Sequence, residues 1–170
     1  MKIYLANSLF SESDQMYNKF LANEIRNALP DVYLYVPQEN ASINDKELFA
    51  SSLSIYNSDN MMLDDSDIMI SVMDGVEMDS GVVCEIGRFT ALCELNKERK
   101  RIILGLYSDI RQNGTSNSKK IEALIHDSKE NQFMYRNLYV VGAIKNNGRI
   151  FCKSYQLINY LKHIVNNWCS

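Results

Sequence analysis

No apolar run in the 170-residue sequence is longer than a strand, whereas a membrane span needs about 20 apolar residues in a row. A membrane protein is thereby excluded from the expectation. The four cysteines, Cys84, Cys93, Cys152 and Cys169, show no CxxC spacing, and no signal-like apolar stretch follows Met1-Lys2. A disulfide framework is not expected, and free thiols in a reducing cytoplasm are. Histidine is confined to His126 and His163, which leaves little material for a histidine-based triad and no clustered ligands for a catalytic zinc. GxGxxG, GxxxxGK[ST] and HExxH are all absent. Basic charge is also short, with 18 Lys+Arg against 21 Asp+Glu and a net charge of -3, so binding to nucleic acid by phosphate neutralisation is not expected. The one basic run, KERKR at 97–101, is interrupted by Glu98 and reads as a helix-to-strand corner.

With 46% hydrophobic and 23% charged residues, the composition is that of an ordinary globular domain. A chain of this length buries roughly 70% of its unfolded surface on folding. No repeat or low-complexity tract divides it, and the polar stretch 108–119 leaves too little chain after it for a second domain. One domain over residues 1–170 is expected. Apolar periodicity predicts strands at 2–6, 32–36, 67–73 and 101–107, with a fifth at 138–144 ending near the turn signal Asn146-Asn147-Gly148. Helical stripes lie between them. Met16, Phe20, Leu21, Ile25 and Leu29 mark a helix at 13–29 that Ser11 or Ser13 could cap. Leu48, Phe49, Leu53, Ile55 and Tyr56 mark one at about 45–62, and further helices are predicted at 82–95 and 155–168. Helices between successive strands demand crossover connections, so the sheet should be mainly parallel and doubly wound, with helices on both faces. Ligands of such sheets bind outside the carboxyl ends of the strands, which directs attention to residues 7–10, 74–79 and 108 onward.

The stretch 67–92, DIMISVMDGVEMDSGVVCEIGRFTAL, runs from a buried strand through an acidic loop into a helix. Asp74 follows the strand directly and is either a group for chemistry at the sheet edge or an Asp-Gly turn carboxylate. Asp79 stands where a helix N-cap is needed. Glu85 is harder to explain as structural. It shares helical spacing with Val82, Ile86, Phe89 and Leu92, which puts a carboxylate inside the stripe that should face the sheet. Burial there disfavours its charged form. A salt bridge to Arg88 is the structural alternative, and the stripe geometry favours function. Gly87, in mid-helix, suggests close approach of another backbone or a ligand. Carboxylates converging on one cleft suit acetal chemistry, one as nucleophile and one protonating the leaving group.

At this point the sequence resembles the nucleoside 2-deoxyribosyltransferases. The resemblance rests on KIYLANSLFS at 2–11, SDIMISVMDG at 66–75, MDSGVVCEIGRFTAL at 78–92 and NLYVVGAI at 137–144. It implies a five-stranded parallel sheet of flavodoxin-like order. It also implies that Glu85 is the nucleophile, that Asp74 contacts the base, that Asp79 holds the deoxyribose hydroxyls and that Tyr4 orients Glu85. Asn137 matches the asparagine that reaches into a neighbouring subunit's pocket to bind the 5′-hydroxyl, which implies a homo-oligomer, dimeric or hexameric, with shared sites. Ser8, Phe10 and Gly81 are the remaining candidate substrate-binding positions. In the family's best-known bacterial form a terminal carboxylate helps bind the base, whereas here the chain runs on through residues 155–170.

The implied reaction is a double displacement between a deoxynucleoside and a free nucleobase, with no cofactor and no metal. The nearest alternative is a 2′-deoxynucleoside 5′-monophosphate N-hydrolase, for which Ser8, Ser11 or Arg136 would face the phosphate. A non-catalytic nucleoside-binding module is a third reading. Receiver domains of signalling proteins share the sheet order, but need an acidic pair where Ala6-Asn7 stand.

Overall fold

The computed structural model describes every residue except Lys46, Leu48, Met134, Cys169 and Ser170. Five parallel strands form one sheet in the order β2-β1-β3-β4-β5, where β1 is Lys2–Ala6, β2 Tyr33–Tyr35, β3 Ile68–Val72, β4 Ile102–Leu106 and β5 Gly148–Phe151. The helices are α1 Glu12–Ala28, α2 Ala41–Asn44, α3 Ser52–Asp64, α4 Ser80–Leu95, α5 Ser118–His126, α6 Leu138–Asn146 and α7 Ser154–Asn166. This is the expected doubly wound, flavodoxin-like α/β fold. Its strand order reverses between β1 and β3, which pair from Ile3 opposite Ile68 to Ala6 opposite Ser71.

Side-chain alternation along the strands divides the core in two. Ile3 and Leu5 of β1, with Ile68 and Ile70 of β3, face α1 and α7 through Leu21, Ile25, Leu157 and Leu161. Tyr4, Ala6 and Met69 face the other way, toward Leu63 of α3, Val82, Ile86 and Phe89 of α4, and Val140 and Ile144 of α6. The basic run closes the amino-terminal edge of the sheet. Arg99 Nε donates to Asp67 Oδ1 at 2.9 Å, and Arg101 donates to the carbonyls of Ser66 and Asp64.

Two expected elements differ. Residues 138–144 form helix α6 rather than the fifth strand, and β5 follows it. Asn137 caps the helix by accepting from the amides of Tyr139 and Val140, and Val140 and Ile144 pack inward one helical turn apart. A short apolar run of this kind reads equally well as a buried strand or a buried helix. Gly148 opens β5 because no side chain fits: a Cβ there would stand 1.8 Å from the carbonyl oxygen of Ile103. The helix expected at about 45–62 is the shorter α3, which begins only at the Ser51 N-cap, and the four-residue α2 lies ahead of the expected range. Leu53 and Tyr56 of its apolar stripe are exposed, and Leu48 lies outside the described residues.

Candidate active site

Three chain segments meet at the carboxyl edge of the sheet where the strand order reverses. The first is the turn after β1. Asn18 of α1, itself buried, accepts from Asn7 Nδ2 at 2.7 Å and donates to the Ser8 carbonyl at 2.9 Å. This fixes Asn7 and Ser8 at the mouth of the cleft. Ser8 Oγ donates to Asp14, and Ser11 caps α1 in a reciprocal capping box with Asp14. Phe10 stands exposed beside them.

The second segment is the loop between β3 and α4. Asp74 Oδ1 accepts from the Ser108 amide at 2.7 Å and Oδ2 from the Ser108 hydroxyl at 2.5 Å. A turn role and a cleft position thus coexist, because the carboxylate that ties the β3 and β4 loops together also lines the cavity. Gly75 has φ +99°, and a Cβ there would stand 2.9 Å from the Glu77 carbonyl oxygen, so the Asp-Gly turn requires glycine. Asp79 is the N-cap of α4, with Oδ1 accepting from the Val82 amide at 3.0 Å. Gly81 leaves room at its side: a Cβ would stand 3.0 Å from Asp79 Oδ1.

The third is the inner face of α4. Tyr4 is fully buried and donates from its hydroxyl to Glu85 Oε1 at 2.6 Å, a contact that exists because strand alternation turns Tyr4 toward α4. Burial pushes the Glu85 carboxyl up to about 7, and Asp59 and Asp79 add to the rise, while the Tyr4 hydroxyl pulls it down. Tyr4 itself is held far above the ordinary phenol range by burial and by the Glu85 charge. Tyr4 therefore favours ionisation of Glu85, but burial is the larger effect. Arg88 does not pair with Glu85. Its guanidinium instead forms a two-bond pair with Asp64, at 2.7 and 2.5 Å. The expected close approach at Gly87 is also not found, since no atom lies within 4 Å of where a Cβ would be.

These segments enclose two adjoining cavities. One of about 470 Å³ is lined by Asp74, Glu77, Tyr17 and Ser108, the other of about 220 Å³ by Glu85, Asp59, Phe10 and Gly81, and both share Asn7, Ser8 and Asp79. Tyr4, Ser8, Phe10, Asp74, Asp79, Gly81 and Glu85 are thus brought together. Asn137 is not. It lines a separate depression of about 350 Å³ with Val76, Tyr135 and Arg136. Six carboxylates, those of Asp14, Asp59, Asp74, Glu77, Asp79 and Glu85, line the joined cavities, and among the described residues no Lys or Arg does. Ser8, Ser11 and Arg136, the candidates for a phosphate, each hold protein partners: Asp14 for the serines, backbone carbonyls for the arginine.

Sequence reasoning missed Asp59 and Tyr17. Asp59 of α3 accepts from Tyr35 Oη at 3.2 Å, and Tyr35 packs its ring 5.4 Å from that of Tyr4. The signal was there: Asp59 falls between Ile55 and Met62 at helical spacing, the same anomaly that singled out Glu85. Tyr17 hydrogen-bonds with Ser108 close to the Asp74 charge. In chemical terms the cleft offers a buried, oriented carboxylate able to attack an electrophilic carbon and a second carboxyl, in the adjoining cavity, able to handle a proton.

No helix among the described residues is long and apolar enough to cross a membrane. No curated protein matches the chain. Among solved structures, a conserved protein from Enterococcus faecalis V583 is 40% identical, with 96% of this chain and 98% of that one covered and a TM-score of 0.84. A 2-deoxyribosyltransferase from Leishmania mexicana shares 16% identity over 95% of this chain and 97% of that one, at a TM-score of 0.56. One from Bacillus psychrosaccharolyticus shares 21% over 62% and 72%, at 0.50. At such identities the last two speak for the fold alone. The sequence model of the nucleoside 2-deoxyribosyltransferases matches residues 3–135, and across that span lie Tyr4, Asp74, Asp79 and Glu85. The chain belongs to the nucleoside 2-deoxyribosyltransferase family.

Proposed function

We propose that this protein transfers 2-deoxyribose between nucleobases by double displacement, with Glu85 as nucleophile. The observation that carries the reading is the 2.6 Å Tyr4–Glu85 hydrogen bond at the floor of a cleft rich in carboxylates and poor in cations. Glu85 in its ionised form attacks C1′, the C1′–N bond breaks, and its electron pair leaves with the base. Asp74, protonated, supplies the proton to a ring nitrogen. The incoming base then attacks C1′ of the glycosyl ester, releases Glu85 as the carboxylate and returns a proton to Asp74. Two inversions give retention. Asp79 receives a sugar hydroxyl through the carboxylate oxygen not used in capping, and Ser8, Phe10 and Gly81 line the donor.

The cleft chemistry favours nucleosides over their 5′-monophosphates, because a phosphate dianion among carboxylates lacks a compensating cation. We further propose one domain over residues 1–170 and a homo-oligomer in which Asn137 serves a neighbouring site, since in its own chain it stands outside the cleft. Free thiols at Cys84, Cys93 and Cys152 suit a cytoplasmic protein. Incubation with deoxyinosine and adenine tests the reading. Deoxyadenosine formation is the expected result. Release of free deoxyribose with no transfer, or preferred turnover of deoxynucleoside monophosphates to deoxyribose phosphate, would overturn it. A 2-fluorinated deoxyribosyl donor should leave an adduct that maps to Glu85 by mass.

A further inference from the structure

Arg136 spends its guanidinium on the backbone around Asp74. Nε donates to the Met73 carbonyl at 2.7 Å and Nη2 to the Gly75 carbonyl at 2.7 Å, while Nη1 donates to the Tyr135 carbonyl at 2.9 Å. The two loop carbonyls are those immediately before and after Asp74. They lie where β3 has ended, so no further strand residue is available to satisfy them. One fork spanning two carbonyls at once is a geometry that a planar guanidinium supplies and an ammonium does not. The plane is fixed in turn: Arg136 Cζ stands 4.2 Å from the centroid of the Tyr107 ring.

Tyr107 directly precedes Ser108, whose amide and hydroxyl grip the Asp74 carboxylate at 2.7 and 2.5 Å. Asp74 is therefore held from both ends, by Arg136 through its flanking peptides and by Ser108 through its side chain. Tyr107 connects the two grips, donating its own amide to the Phe151 carbonyl at 2.8 Å and so anchoring them to β5. Arg136 itself lines the adjacent depression and not the cavity that holds Asp74. It reaches the site only through the loop.

We infer that Arg136 is a positioning residue for Asp74, a backbone clamp that keeps the carboxyl aimed at the leaving base. The inference rests on the deoxyribosyl-transfer reading for its kinetic consequence but not for its structural one. A general acid contributes through placement, and displacement by about 1 Å can cost about a hundredfold. Arg136→Ala should therefore lower kcat for deoxynucleoside donors by about 10- to 100-fold with KM moved much less. Combined with Asp74→Asn it should add almost nothing, because the clamp has no work left when the acid is gone. Arg136→Lys should not restore the rate, since the charge returns without the fork.

The experiment pairs these kinetics with hydrogen exchange of the intact protein. The amides of residues 74–77 should exchange about tenfold faster in Arg136→Ala, with those of β1 and β4 unchanged. Unchanged exchange in the loop, losses that multiply with Asp74→Asn, a defect confined to KM, or full recovery in Arg136→Lys would each overturn the inference. If the wild-type protein fails to transfer deoxyribose, the proposed function falls while the exchange result still decides whether the clamp exists.

Discussion

Replacing Glu85 by glutamine should abolish transfer and stabilise the protein at the same time, and pH separates the two effects. In the fold the Glu85 carboxyl is pushed from an ordinary 4.5 up to about 7, chiefly by burial. The folded state therefore holds a proton between these values that the unfolded chain has released. Stability falls as pH rises through this window, at about 1.4 kcal/mol per pH unit. Below 4.5 the group costs nothing, and above 7 the whole penalty, about 3 kcal/mol, is present. Glutamine cannot ionise, yet its amide oxygen still accepts from the Tyr4 hydroxyl. Urea unfolding of both proteins from pH 4.5 to 8.5 gives the difference, because the carboxylates remote from Glu85 titrate alike in both and cancel. The variant should match the wild type at the acid end and exceed it by about 3 kcal/mol at pH 8. A stability difference that stays flat with pH, or a variant less stable than wild type at pH 8, would refute the claim that Glu85 is held at a cost to the fold.

Tyr4→Phe removes the hydroxyl that pulls the Glu85 carboxyl down, so the pH range over which urea-unfolding stability falls should extend to higher pH. Activity at pH 7 should fall about tenfold or more; an unmoved pH dependence of stability would argue against a Tyr4 role in ionisation. Asn137→Asp retains a good N-cap for α6, so it should fold normally yet lose transfer, and mixing it with Glu85→Ala under subunit exchange should restore part of the activity. A monomer with full activity by light scattering, or no recovery despite proven exchange, rules the shared site out. Gly148→Ala drives a Cβ against the Ile103 carbonyl oxygen and should cost more than about 3 kcal/mol by disrupting the β4–β5 pairing; a loss within 1 kcal/mol in urea unfolding would contradict that close approach.

Glu85 was legible from the chain because helical periodicity is a local property, and a carboxylate at stripe spacing between Val82 and Phe89 is visible in the letters alone. The expectation at Gly87 failed because close approach depends on neighbours, and none comes within 4 Å of that position. Residues 138–144 show the same limit from the other side. Their apolar, β-branched letters suit a strand, and helix α6 is selected by the Asn137 cap and by the inward packing of Val140 and Ile144 against β4 and α4.

The sequence by itself determined the parallel, doubly wound sheet and the strands β1, β3 and β4, and it singled out Glu85, because hydrophobic period is written within a few residues of each position; Asp74 and Asp79 read from their letters equally as turn and cap carboxylates. Only the tertiary structure decided that Tyr4 donates to Glu85 across 81 residues of chain, that Ser108 and Arg136 grip Asp74 from two sides, and that Asp59 joins the cleft from α3. Those pairings depend on which strand face each helix covers and where each loop ends, and long-range packing sets both.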